Sequence, residues 1–273
     1  MVLRRGCAPV ARYRRRMSDR APQVFLVRAD NPGPLTLEGT NTWLVGRDPC
    51  WIVDPGPALP GHLAAVAAAA SARGGAAGIV LTHDHGDHAD GVPDLVVRLG
   101  GDVTVAAARY PLATRRLAGG DVAGPFTVIA TPGHAPDHLA FHCGTTLFSG
   151  DAVLGRGSVF VAPYPGAMGG YLRALEHLLT LELEQICPGH GPVVDDPGAR
   201  LRHYIDHRLD RERRLLAALD RGLRSSAELV ADVWSDVPDT LRGTATVTLA
   251  AHLDKLADEQ RLPAGVERPA FSM

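Results

Sequence analysis

Short runs of apolar and β-branched residues dominate the first two thirds of the chain, and helical spacing dominates the last third. Residues 24–28 read as a first strand, which Asn31-Pro32-Gly33-Pro34 then breaks, as Gly and Pro do. Residues 42–45 and 51–53 predict a hairpin around the polar turn 46–49, and Asp54-Pro55-Gly56-Pro57 is a further turn. An Ala-rich helix is expected over 60–73, ended by Gly74-Gly75. The run Gly78 to Leu81 lacks alternation, as a strand covered on both faces does. A helix over 89–99 tolerates Pro93 only in its first turn. Strands are expected at 103–107 and 126–130, and a hairpin at 139–142 and 146–148 around Gly144. Residues 155–170 form a long loop containing Gly and Pro. An amphipathic helix over 171–181 places Leu172, Leu175, Leu178 and Leu179 on one side, and a short strand then leads to Cys187.

Beyond Asp195 the pattern turns helical. Residues 199–221 place Leu201, Tyr204, Ile205, Leu215, Leu216 and Leu219 near helical spacing, with arginines outward. Ser225-x-x-Glu228 is a capping box that opens a second helix, and Leu249, Leu253 and Leu256 mark a third over 246–261. Three short helices and a tail suggest a winged-helix module. The division expected is a basic leader over 1–20, a main domain over 21–196 and a helical domain over 197–273.

Composition narrows the function classes. With 273 residues, 45% apolar and 21% charged, the chain has material for a large core. A net charge of −2 carries no global footprint for nucleic acid. Cys7, Cys50, Cys143 and Cys187 show no paired spacing, so neither a disulfide framework nor a zinc ribbon is expected, and a reducing cytoplasm fits. No apolar run approaches the roughly 18 residues that a membrane span needs. Seven arginines against one acid fill residues 1–20, without the apolar stretch of a signal peptide. A disordered leader or a mis-annotated start, with Met17 as the true one, is preferred over a transit peptide or a nucleic-acid arm.

The chemistry concentrates in His83-Asp84-His85-Gly86-Asp87-His88, directly after the non-alternating strand. Imidazole and carboxylate together suit zinc, manganese or iron, and so many such groups on one turn make poor packing material without a cation. His134, Asp151 and His190 each sit in a Gly-containing turn that follows a predicted strand. Strand ends converge in space, so these seven candidate ligands fall on one rim of an α/β sheet. They are too many for one tetrahedral ion and suit two that share a carboxylate.

This series, in order over residues 83–190, resembles the metallo-β-lactamase superfamily of dinuclear metal hydrolases. The resemblance implies an α/β fold, the αβ/βα four-layer sandwich with the metals at one edge. It implies His83, His85 and His134 on a first metal, Asp87, His88 and His190 on a second, and Asp151 as the bridge. The ions implied are two divalent ones, zinc first, with manganese or iron as alternatives. Asn31-Pro32-Gly33-Pro34, Gly39-Thr40-Asn41-Thr42 and Asp54-Pro55-Gly56-Pro57 are similar to the lactamase-B-like protein 2 subgroup, whose members add a winged-helix-like C-terminal domain.

Two divalent ions would supply hydroxide at neutral pH, with Asp87 and Asp151 as the catalytic carboxylates. Asp84 reads equally as support for a ligand imidazole or as a turn former. Asn41, by similarity to the subgroup, and Tyr164 are candidate substrate contacts, and Tyr171 is a further residue that could line the cleft. His138 reads as a substrate contact or as support for the ligands, and equally as a satisfied strand-edge histidine, as Asn41 reads equally as part of a turn. True β-lactamases typically lack the bridging carboxylate that Asp151 provides, which disfavours antibiotics. An ester or thioester small molecule is the preferred substrate, and single-stranded RNA is the alternative. Eight arginines against four acids over residues 200–224 give RNA modest support, although aromatics for base stacking are few. A winged-helix regulator with a ligand-sensing metal domain is the reading from another class.

Overall fold

The computed structural model describes residues 21–270, so the basic leader expected over 1–20 lies outside the described residues. Two sheets face each other. The first orders β1 (Val24–Arg28), β2 (Asn41–Val45), β3 (Cys50–Val53), β4 (Ala76–Val80), β5 (Thr104–Ala107) and β6 (Arg115–Arg116). β1 to β3 pair antiparallel, and β3 to β6 pair parallel. The second sheet runs β11 (Gln185–Pro188), β10 (Thr146–Gly150), β9 (Leu139–Cys143), β8 (Phe126–Ala130) and β7 (Val122–Ala123), with only β10 and β11 parallel.

Side-chain alternation along the strands builds the layers. On the first sheet, Leu44, Ile52, Ile79 and Val105 point outward, onto α1 (Pro60–Ser71) and α3 (Val92–Arg98), where Leu63, Val66 and Leu95 cover them. Their neighbours Trp43, Val45, Val53, Val80 and Ala106 point inward and meet Phe126, Val128, Phe141 and Phe148 of the second sheet. Ala140, Leu147 and Ile186 on that sheet's other face pack under α4 (Ala167–Leu179) and the first turns of α5 (Pro197–Asp220). The helix–sheet–sheet–helix stack follows from these three apolar interfaces, each of them buried on both sides.

The expected helix over 89–99 is two pieces, because Gly91 ends α2 (Gly86–Ala89) and Pro93 opens α3. The helix expected from 171 starts at Ala167. At the C-terminus, α5, α6 (Ser226–Val233) and α7 (Arg242–Asp258) enclose a separate apolar cluster of Leu215, Leu219, Leu229, Val233, Leu249, Leu253 and Leu256. The Ser225/Glu228 capping box is formed. The described residues beyond Asp195 contain no strand, so the β-hairpin of a winged helix is not among them. α5 starts at Pro197, at the expected 196/197 boundary, and serves two clusters, since Leu201 and Tyr204 belong to the core under the second sheet while Leu215 and Leu219 belong to the helical cluster. Among the described residues, no helix is long and apolar enough to cross a membrane.

Two backbone hydrogen bonds join the sheets at one edge: Leu139 N to Thr82 O at 2.7 Å and Asn41 N to Gly189 O at 2.7 Å. On that edge Gly133 lies flat against Tyr171, and a Cβ added there would stand 2.5 Å from the Tyr171 ring, on a backbone at φ +147°. Gly133→Ala is therefore expected to cost about 1–3 kcal/mol of stability by overpacking. Thermal unfolding checks this, and an unchanged midpoint would contradict the packing.

Candidate metal centre

Each chemistry-bearing residue stands where a strand ends. His83, His85, Asp87 and His88 follow β4, His134 follows β8, Asp151 follows β10 and His190 follows β11. The stitched edge brings all seven together. His83, His85 and His134 present ligand atoms within 4.8 Å of one another, as do Asp87, His88 and His190. His134 Nε2 is 3.0 Å from His85 Nδ1, and His88 Nε2 is 3.3 Å from His190 Nε2. Asp151 lies between the groups. Its Oδ1 is 3.4 Å from both His88 Nε2 and His190 Nε2, and its Oδ2 is 3.7 Å from His134 Nε2.

The hydrogen bonds behind the rings decide which nitrogens carry protons. His88 Nδ1 is 2.9 Å from Asp54 Oδ2, which can only accept, so this nitrogen holds the hydrogen and Nε2 is bare. Phe160 O plays the same part for His134 Nδ1 and Gly39 O for His190 Nδ1, both at 3.4 Å. Thr82 Oγ1 gives its one proton to Asp54 Oδ2 at 2.7 Å, and so it accepts from His83 Nδ1 at 3.0 Å. In the neutral form of each ring, the form that binds a metal, the lone pair therefore sits on the nitrogen facing the centre. His83 Nε2 and Asp151 Oδ1 are buried and have no hydrogen-bond partner.

Lone pairs and carboxylates packed this closely repel one another unless a positive charge lies among them. A zinc ion with nitrogen ligands at 2.0–2.1 Å in a tetrahedron sets its ligands about 3.3 Å apart. The donor set, its spacing and its orphaned buried atoms therefore fit divalent cations. Without a cation the carboxylates act on the imidazoles. Burial lowers His190, but the charge and hydrogen bond of Asp151 outweigh it and push the ring up to about 9. Burial and its imidazole neighbours hold His83 well below the usual range, and burial holds His134 down at about 4. Burial would raise Asp151, yet His88 and His190 keep it well below the ordinary carboxylate range.

Several residues stand elsewhere than expected. His138 is buried, takes the Asp151 N–H on Nε2 at 3.0 Å and meets Thr131 Oγ1 through Nδ1 at 2.8 Å, so its ring is spent on positioning Asp151 rather than open to substrate. Asn41 is also fully buried; its amide donates to Pro188 O at 3.0 Å and Gly191 O at 2.9 Å, clamping the His190 turn to β2. Tyr171 lies in the core, donating to Ala152 O at 2.6 Å, and does not line a cleft. Tyr164 is half-buried and its hydroxyl donates to Ala135 O at 3.3 Å, next to His134, which leaves it on the rim. Asp84 is exposed. Behind His88 and Thr82 stands Asp54 instead, whose carboxylate accepts from Thr82 N, Thr82 Oγ1 and His88 Nδ1. Gly189 is required by the same crowding, since a Cβ there would lie 2.7 Å from both Asp151 Oδ1 and His88 Cε1.

Similarity to known proteins agrees with this geometry. The family profile of the metallo-β-lactamase superfamily matches residues 109–190. The β-lactamase-like protein 2 homolog of Caenorhabditis elegans is 30% identical over 265 residues, covering 91% of this chain and 87% of that one. The atrochrysone carboxyl ACP thioesterase of Aspergillus chevalieri is 34% identical over 272 residues, covering 90% of this chain and 86% of that one. The crystal structure of TTHA1623 in a di-iron-bound form superposes with a TM-score of 0.54 and 32% identity, over 66% of this chain and 98% of that one.

Partners behind a ligand imidazole set its orientation and basicity, and losing one typically costs 10–100-fold in metal affinity. Asp54→Asn is expected to weaken zinc retention by roughly that factor, read by competition with a chromophoric chelator. Unaltered affinity in the folded variant would contradict the role given to Asp54.

Proposed function

Because this chain belongs to the metallo-β-lactamase superfamily and is a metal-dependent hydrolase, we propose that it holds two divalent cations and hydrolyses an ester or thioester of a small molecule. The observation that carries the reading is Asp151, whose two oxygens face two separate groups of imidazoles. His83, His85 and His134 would hold the first ion and Asp87, His88 and His190 the second, with Asp151 as the carboxylate available to both. Zinc suits these nitrogen and oxygen donors, and iron or manganese suits them as well. When bound, such ions lower the pKa of water toward neutrality and draw charge from a carbonyl oxygen.

The chain's own residues do the rest. Asp87 is the most exposed of the carboxylates, with its side chain at 30%, and its Oδ2 is 3.2 Å from His190 Nε2. It orients the attacking water and takes its proton. Attack breaks the acyl carbon–sulfur or carbon–oxygen bond, and the leaving thiolate or alkoxide recovers a proton, so one water is consumed per acid and thiol or alcohol released. His138 keeps Asp151 in place through the backbone N–H of that residue. The Phe160 ring, 4.5 Å from the His134 ring, and the half-buried Tyr164 form an aromatic wall beside the centre. Burial pushes the Tyr164 phenol up to about 12, so it stays neutral, its one proton on Ala135 O and its oxygen left as an acceptor.

Two lines support a small acyl substrate over RNA. One relative is a thioesterase by name. The other is the fate of the arginines between 200 and 224. Arg208 and Arg211 are buried and Arg200 and Arg224 donate to backbone carbonyls, so half of the eight are spent inside the fold. Of the other four, Arg202 is exposed, while Arg213 and Arg214 share Asp210 and Arg221 pairs with Asp232, and these acids weaken the pull on a phosphate backbone. The helical C-terminus, without a strand among its described residues, likewise gives a winged-helix regulator no groove-reading hairpin.

A panel of acyl thioesters, lactones and labelled single-stranded RNA, run with zinc, iron or manganese, tests the reading. Thioester turnover is expected, and Asp151→Ala should reduce it at least 100-fold, the scale on which removal of one charge-stabilising group acts. Cleavage of RNA alone, or turnover undiminished by Asp151→Ala, would overturn it.

A further inference from the structure

The loop from Asp151 to α4 forms one wall of the centre, and side chains of the C-terminal helices hold it from behind. Leu154 N donates to Tyr204 Oη at 3.0 Å, and Arg200 donates to Leu154 O and Gly157 O, both at 2.9 Å. Further along, Arg208 Nη2 donates to Ser158 Oγ at 2.7 Å and to Val159 O, while Val161 N donates to Thr248 Oγ1 of α7 at 3.4 Å. Ala162 N closes onto Gly133 O at 2.9 Å. Phe160 is thus gripped on both flanks, and its carbonyl is the acceptor that fixes the His134 tautomer.

Arg208 is the unusual member. Leu201, Tyr204, Arg208, Arg211 and Leu215 follow one helical stripe, all of them buried, so an arginine occupies a core position. It is 2% exposed, lies over the Tyr171 ring at 5.6 Å, and has no carboxylate in ion-pair contact among the described residues. Its Nε has no partner at all. Beside it, burial and the Arg208 charge push His252 down to about 3. A buried guanidinium without an acid is costly, and an apolar side chain would fill the same stripe more cheaply. What an apolar side chain could not supply is the pair of hydrogen bonds to residues 158 and 159.

We propose that Arg208, assisted by Thr248, is a positioning residue for the metal centre: Arg208 holds Ser158 and Val159, and Thr248 holds Val161, so that the Phe160 carbonyl stays on His134 Nδ1. The C-terminal helices thereby act on the wall of the active site rather than serving as an independent binding module. The proposal rests on His134 being a metal ligand.

The test uses the full chain with Arg208→Leu, Arg208→Lys and Thr248→Val, reading amide hydrogen exchange over residues 158–162 and the zinc dissociation constant. Arg208→Leu should keep its helical circular dichroism, exchange faster at Val161 and Ala162, and bind zinc about 10-fold more weakly, by the outer-shell scale. Arg208→Lys should recover part of both changes, and Thr248→Val should move both in the same direction by less. Unchanged exchange and unchanged zinc affinity in folded Arg208→Leu or Thr248→Val would overturn the proposal. Faster exchange with unaltered zinc affinity would overturn it too, since the loop would then move without His134. A wild-type chain that retains no zinc, iron or manganese would instead defeat the two-cation reading, a result visible before any variant is made.

Discussion

Four imidazoles, in their neutral form, turn bare nitrogens toward one small volume because each has its other nitrogen committed as a donor elsewhere. Asp54, through Thr82 as well as directly, commits two of them, and the carbonyls of Gly39 and Phe160 commit the others. This one-sided arrangement is electrostatically unfavourable until a cation enters, and the surroundings are built to enforce it. The sheets are stitched by backbone bonds beside the cluster, and Gly189 lets Asp151 and His88 approach as closely as they do. The energy that holds the edge together comes from the three apolar interfaces behind it, which do not depend on the centre.

The seven groups of the centre could be read from the chain because each directly follows a run that forms a strand, and strand ends share an edge. Asp54 could not be picked out the same way. It sits in Asp-Pro-Gly-Pro, which reads as a turn, and only the pairing of β3 with β4 brings it behind His88. A signal was present nonetheless, since a carboxylate right after a strand is a rim residue by the same rule. Asn41 was expected at substrate by similarity to the subgroup, and His138 either at substrate or behind the ligands. Burial reverses that, because a buried amide or imidazole must find partners, and both find them in the backbone of the centre.

Periodicity also held information that charge counting hid. Tyr171, Leu175 and Leu178 lie at i, i+4 and i+7 of α4, a spacing that points the tyrosine into the core, where it is found. In α5 the arginines were expected outward as a class, yet Arg208 and Arg211 fall on the stripe of Leu201, Tyr204 and Leu215 and are buried. The double role of α5 was hidden for a related reason: one continuous helix contributes to two apolar clusters, and no composition change along it marks the crossing. The helical unit shares α5 with the core under the second sheet, and its side chains hydrogen-bond the loop that carries Phe160 beside His134.

Anomalous diffraction at the metal edge, on crystals of the chain grown with zinc, addresses the central claim most directly. The account predicts two peaks about 3.5–4 Å apart, one against His83, His85 and His134, the other against Asp87, His88 and His190, with Asp151 between them. A single peak, or two peaks that leave Asp151 without contact to either, would contradict it.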